Sequence, residues 1–154
     1  MKFNSLIPEL SVTNILTSTK FYVLLGFNVK YERKENKFVF LEYENNQIMI
    51  EEINNNWSVG KLSYPFGNGI NLSMEVSDID ALYQKVKKLD IHIFRELKVS
   101  EYKVDDEVYQ DKEFLIQDPD GYLLRFTSWL KGSVNKWKKV ILIFLRWSNL
   151  INMV

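Results

Sequence analysis

An α+β fold built from two copies of one βαβββ unit, with two curved sheet halves, is what this sequence predicts. Three observations carry that expectation. The chain repeats itself, because Leu10-Ser-Val-Thr-Asn-Ile15 lies over Met74-Glu-Val-Ser-Asp-Ile79 at an offset of 64 residues with no gaps. Each copy opens on apolar residues that alternate with polar ones, the period of a half-buried strand. Each copy then runs through a helical stripe and closes on a strand–turn–strand.

The elements follow in order. Leu10 and Val12 alternate with Glu9 and Ser11, and Leu72, Met74 and Val76 alternate with Asn71, Ser73 and Glu75. Asn14 and Asp78 come next, where a short side-chain oxygen can accept from the first free amides of a helix. Ile15, Tyr22 and Leu25 in the first copy, and Ile79, Leu82, Val86 and Leu89 in the second, fall at helical spacing. Gly26 suits the positive φ that often ends a helix. Phe27 and Val29 lie over Ile91 and Ile93 and mark the next strand, which carries His92, the only histidine. Phe38 to Tyr43 and Gln47 to Ile53 then flank Asn45-Asn46, a two-residue turn whose asparagines tolerate the left-handed region. In the second copy Glu113 to Gln117 and Tyr122 to Thr127 flank Asp118-Pro119-Asp120-Gly121, a turn in which proline fixes φ and glycine takes a positive one. Two longer segments read as loops: Asn54 to Gly69, with Trp57, Tyr64 and Phe66, and Ser100 to Lys112, with Tyr102 and Tyr109. Long loops in compact domains are more often functional than short ones.

The repeats therefore span about 6–53 and 70–129 of a single domain, 1–130, within a chain of 154 residues. Hydrophobic residues make up 46% and charged residues 26%, the balance of an ordinary globular protein. There is no cysteine, which excludes disulfides and thiolate metal sites and fits a reducing cytoplasm. The opening MKFNSLIPEL lacks the apolar run of a signal peptide, and no apolar stretch reaches the roughly 18 residues of a membrane span. The expected location is the cytoplasm.

The net charge of zero hides an asymmetry. Five of the 20 basic residues (Lys131, Lys136, Lys138, Lys139, Arg146) follow residue 130 with no acid beside them, so the body holds 15 against 20 acidic residues. An acidic body argues against nucleic acid and is compatible with a cationic ligand; plain solubility is the simpler explanation. Segment 131–154, with Val134, Trp137, Val140, Ile141, Phe144, Leu145 and Ile151, reads as a basic, largely apolar C-terminal helix. Packing on the body or a partner subunit, lying on an anionic membrane surface, or being an accident of sequence all remain open for it.

Two segments carry a family resemblance. Thr17-Ser-Thr-Lys-Phe-Tyr22 followed by Leu25-Gly-Phe27 is similar to an element of the vicinal oxygen chelate superfamily, which includes glyoxalases, bleomycin-resistance proteins and dioxygenases. Glu113-Phe-Leu-Ile-Gln-Asp-Pro-Asp-Gly-Tyr-Leu-Leu-Arg-Phe126 resembles its closing hairpin, in the form of the bleomycin-resistance-like subgroup. The resemblance covers 6–129. It implies a curved mixed sheet around a U-shaped cavity, and a homodimer whose cavities lie at or near the subunit interface.

Enzymes of that superfamily hold a divalent metal as a Lewis acid through four His or Glu side chains. At the matching positions stand Ile7, Asn71 and Arg125, with the remaining one at Phe40, or at Glu42 if the register moves by two. Isoleucine and phenylalanine have no lone pair to donate, and arginine is a cation with no acceptor. No metal and no other cofactor is therefore expected. His92 lacks a second ligand and reads as a strand residue.

Strand alternation would put Glu9, Ser11, Asn71, Ser73, Glu75, Phe38, Phe40, Leu123, Arg125 and Thr127 on the cavity side. Aromatic walls with two or three carboxylates and a guanidinium suit extended amphipathic or cationic molecules. Equally, Glu9 or Glu75 can pair with Arg125 simply to neutralise buried charge, and the loop aromatics can pack a dimer. No Ser/His/Asp arrangement, phosphate-cradling glycine loop or HExxH is present.

The expectation is a binding protein of the bleomycin-resistance type that sequesters a cationic or amphipathic ligand without chemistry, bleomycin-family glycopeptides being the named candidates. The expected contacts are Glu9, Phe38, Phe40, Glu42, Trp57, Asn71, Glu75, Tyr109 and Arg125. The alternative is a metal-independent lyase, isomerase or hydrolase with Glu9, Glu42 or Glu75 as general base. A regulatory domain with no small ligand is a third reading.

Overall fold

The computed structural model describes residues 2–104 and 107–130. The expected C-terminal helix, 131–154, lies outside the described residues. In the first copy β1 (Glu9–Val12) leads into α1 (Ile15–Leu25), then β2 (Asn28–Arg33), β3 (Phe38–Tyr43) and β4 (Asn46–Glu52). In the second, β5 (Asn71–Glu75) leads into α2 (Ile79–Lys88), then β6 (Ile93–Val104), β7 (Glu107–Gln117) and β8 (Leu123–Leu130). The strand orders are β1-β4-β3-β2 and β5-β8-β7-β6, so the copies share one topology. In each, the first strand runs parallel to the last and the other pairs are antiparallel.

The helices form where the sequence provides their ends. Asn14 accepts from Thr17 N at 2.9 Å, and Asp78 accepts from Ala81 N at 2.9 Å, which satisfies amides that the first turn leaves free. Gly26 closes α1 at φ 124. Both helices pack on one side of the sheets. Tyr22 and Leu25 from α1, and Ile79, Leu82 and Val86 from α2, share one apolar cluster with Val39, Leu41, Ile48, Ile50, Phe114, Ile116, Leu124 and Phe126. Burial of that cluster is the main driving force for the fold.

Two expectations about turns and loops need correction. The β3–β4 turn is Glu44-Asn45, one residue earlier than Asn45-Asn46, and Glu44 takes the left-handed conformation at φ 53. That strain is held in place from the other copy. The Glu44 carboxylate accepts from Ser77 N at 2.9 Å and from Ser77 Oγ at 2.8 Å, and Asn46 Nδ2 donates to Glu75 O at 2.7 Å. Ser100–Val104 and Glu107–Lys112 are strand, not loop. β6 and β7 run antiparallel through these segments, with Tyr102 paired to Tyr109 and Ser100 to Asp111. Tyr102, Val104, Val108 and Tyr109 favour strand, and pairing with β8 as far as Gln110 supports the ladder.

The second copy's turn grips the first copy in return. Asp120 accepts from Thr13 N at 3.0 Å and Thr13 Oγ1 at 2.6 Å, and from Ser18 Oγ at 3.3 Å. Asp118 accepts from Tyr22 OH at 2.8 Å, and Tyr122 OH donates to Ser11 O at 3.1 Å. Each copy's hairpin turn thus holds the strand–helix junction of the other. Thr13 and Ser77 occupy equivalent positions in this reciprocal clasp, 64 residues apart.

Candidate functional site

Helices cover one side of each sheet, so the other side is where a ligand could sit. On β7, Phe114 and Ile116 face the core, which turns Tyr109, Asp111, Glu113 and Leu115 to the helix-free side. β8 adds Arg125, Thr127 and Trp129 to that side, opposite Leu115, Glu113 and Asp111 respectively.

A charge cluster occupies the middle of this face. Asp111 is fully buried, and Glu113 is nearly so. Arg125 Nη2 bonds Asp111 Oδ2 at 2.8 Å, and Arg125 Nε lies 2.5 Å from Glu113 Oε2, an ionic contact that does not meet hydrogen-bond geometry. Lys98 reaches Glu113 Oε1 at 3.2 Å, and the Thr127 hydroxyl donates to Asp111. Burial works against the charge of Arg125, but the bond to Asp111 and the negative charge of Glu113 and Asp111 outweigh it and raise its pKa. Two carboxylates and two cations balance, as buried charges must. Toward the far end of the hairpin stand Tyr102 and Tyr109, each 41% exposed, and Trp129, 50% exposed. On β5, Glu75 faces the same side opposite Thr127, is exposed, and makes no ion pair with any described residue.

The helix-free side of the first sheet differs. Phe38 and Phe40 are buried. Tyr31 stacks on Phe40 at 5.3 Å, Phe3 meets it edge-on at 5.5 Å, and the Arg33 guanidinium lies 3.9 Å over Phe38. Glu42 is tied to Lys30 at 2.8 Å and accepts from Gln47 at 2.7 Å; the Lys30 bond first, then that of Gln47, lowers its pKa. Trp57 is exposed but donates Nε1 to buried Glu51 at 2.8 Å. Desolvation, then the neighbouring Glu51 charge, raises the Glu9 carboxyl.

The nine expected contacts therefore fall on two faces. Asn71, Glu75, Tyr109 and Arg125 share the second sheet, and Glu9, Phe38, Phe40, Glu42 and Trp57 lie at the first. Phe38 and Phe40 are covered by their neighbours, and Glu42 is committed to its salt bridge. Arg125 pairs with Asp111 and Glu113, not with Glu9 or Glu75. Asp111 and Tyr102 were missed as site residues because their stretch reads as a loop; Glu113, at the start of the strand read as Glu113 to Gln117, was not assigned to the cavity side. Stepping back by two along the strand from Glu113 would have found Asp111. His92 lies exposed just before β6.

The residues at the family's metal positions do not fit a dication. Phe40 is fully buried among rings, and Arg125 brings a cation to the fourth position, already bound to two carboxylates. Among the described residues, no three His, Cys, Asp or Glu side chains gather as a metal site would need. No helix of the described residues is long and apolar enough to cross a membrane.

No protein-family model matches the chain, and no curated protein matches it. Solved structures do. A glyoxalase/bleomycin resistance protein/dioxygenase superfamily member from Vibrio splendidus 12B01 is 36% identical over 79% of this chain and 95% of its own, with a TM-score of 0.39. A glyoxalase/bleomycin resistance protein/dioxygenase from Alicyclobacillus acidocaldarius is 17% identical over 83% of this chain and 92% of its own, with a TM-score of 0.60. TioX from Micromonospora sp. ML1 is 17% identical over 83% of this chain and all of its own, with a TM-score of 0.65.

Proposed function

We propose that this chain, which by its fold belongs to the glyoxalase/bleomycin resistance/dioxygenase superfamily, is a binding protein that sequesters a small cationic or amphipathic ligand without chemistry. One observation carries the reading: the exposed carboxylate of Glu75 has no ion-pair partner among the described residues, on the same face as half-exposed Tyr102, Tyr109 and Trp129. The charges between them are already balanced, so Glu75 sets the sign of the ligand. Aromatic faces attract cations and stack on flat rings, and a nearby carboxylate adds a charge-assisted bond. Bleomycin-family glycopeptides are the first candidates, and resistance to such a compound in the cytoplasm is the corresponding role. A homodimer that completes the groove belongs to the same proposal.

Calorimetric titration with metal-free bleomycin tests it. Binding at about micromolar Kd, near one ligand per chain, weakened by salt and by Glu75→Gln, supports sequestration. No heat across a range of temperatures removes bleomycin as the ligand. A second reading, a metal-independent enzyme, is favoured by Glu9 alone, whose raised carboxyl beside Glu51 suits a general base.

A further inference from the structure

A groove runs between α1 and the β2–β3 connection. It encloses about 450 Å³, within the roughly 300–1,000 Å³ of small-molecule sites. Its floor is apolar: Ile15, Val23, Phe38 and Val39. Leu16, one turn before Lys20 on the same helical stripe, is 78% exposed, and Val23 is 46% exposed. Such side chains on a packed helix leave apolar surface in water at a cost of about 25 cal/mol per Å².

Three lysines rim the groove against one acid. Lys34 pairs with Glu32 at 3.2 Å, and Lys37 is held by Glu52. Lys20 has no ion pair with any described residue. An apolar trough with one uncommitted ammonium suits a molecule with an aliphatic chain and an anionic head.

Charge argues against other occupants. The 131–154 segment carries five bases and no acid, so it would bring cations to a lysine rim. A second copy seated about a twofold axis would set the same lysines against each other.

We propose that this groove binds a small amphipathic carboxylate of the medium-chain fatty acid type, with Lys20 as its counterion. This site is separate from the second-sheet face of Glu75 and Trp129 proposed for cationic ligands and has the opposite charge preference.

The test is titration of the full chain with decanoate below its micelle concentration, read by calorimetry and by NMR of labelled leucine and valine methyls. Decanol and decyltrimethylammonium serve as probes with the same tail. Expected are one decanoate per chain, shifts centred on Leu16 and Val23, and no such shifts with the ammonium. Lys20→Glu, at an exposed position, should weaken decanoate by about fivefold or more. Leu16→Gln should weaken decanoate and decanol alike. Equal binding of the cationic probe, unchanged affinity in Lys20→Glu, or no binding up to about 1 mM overturns the proposal. So does a sedimentation shift to monomer in Leu16→Gln, which would assign the groove to a second copy.

Discussion

Asp118→Asn should make the protein more stable at neutral pH, although it removes a charge from a hydrogen-bonded site. Asp118 is 4% exposed in the β7–β8 turn. Burial raises its pKa from 3.8 to about 6, even though bonds from Tyr22, Tyr122 and Asp120 pull it down. The Tyr22 hydroxyl is itself pushed well above its usual pKa by burial and the Asp118 charge, so it stays a neutral donor. A carboxyl whose pKa is higher folded than unfolded binds its proton more tightly in the folded chain. Its contribution is full below about pH 4, declines as pH rises toward 6, and is lost above that. A shift of about two units corresponds to about 3 kcal/mol. Asparagine keeps the Oδ1 acceptor that takes Asp120 N at 3.0 Å and Tyr122 N at 2.8 Å, and its amide can donate to the Tyr22 oxygen. Urea unfolding followed by circular dichroism, at pH 4 and pH 7.5, should give near-equal stabilities for variant and parent at the lower pH. At the higher pH the variant should be more stable by about 2–3 kcal/mol. A gap that stays constant between the two pH values would refute a proton-linked cost at Asp118.

Substitutions at three further positions probe other parts of the molecule. Arg125→Met leaves Asp111 and Glu113 with one cation between them and should cost about 3–5 kcal/mol in urea unfolding, largely recovered when both acids become amides. Gly121→Ala meets both a φ of 87 and a Cβ position 2.6 Å from Pro65 Cβ, so its melting temperature should fall by the equivalent of at least about 2 kcal/mol. Asn14→Ala removes the bond to Thr17 N and should cost about 1 kcal/mol, whereas Asn14→Gly should cost only a few tenths, measured the same way.

The repeat made the fold legible before any coordinates. Copying Leu10–Ile15 onto Met74–Ile79 located both strand–helix junctions, and Asn14 and Asp78 cap their helices as local chemistry requires. Side-chain alternation also put Glu9, Asn71, Glu75 and Arg125 on one side of the strands, which the structure shows to be the side without helices. Local signals failed where long-range contacts decide. Glu44 is a poor residue for a left-handed turn, and its bonds to Ser77, 33 residues away, hold it there. The Ser100–Lys112 stretch carries charges typical of a loop, but pairing of β6 with β7, joined by β8 from Gln110 onward, holds much of it as strand. Asp111, one partner of Arg125, was out of reach for that reason, since it joins Arg125 only across the β7–β8 ladder.

The reciprocal clasp bears on how a duplicated sequence can diverge. Thr13 answers to Asp120 and Ser77 to Glu44, so each half carries the receptor for the other half's turn. A change in one turn is felt at the helix start of the opposite half, and only a matching change there restores the fit. Two copies bound in this way inherit their mutations jointly. A chimera that joins the first half of this chain to the second half of a distant homologue would have to bring along both partners of each grip.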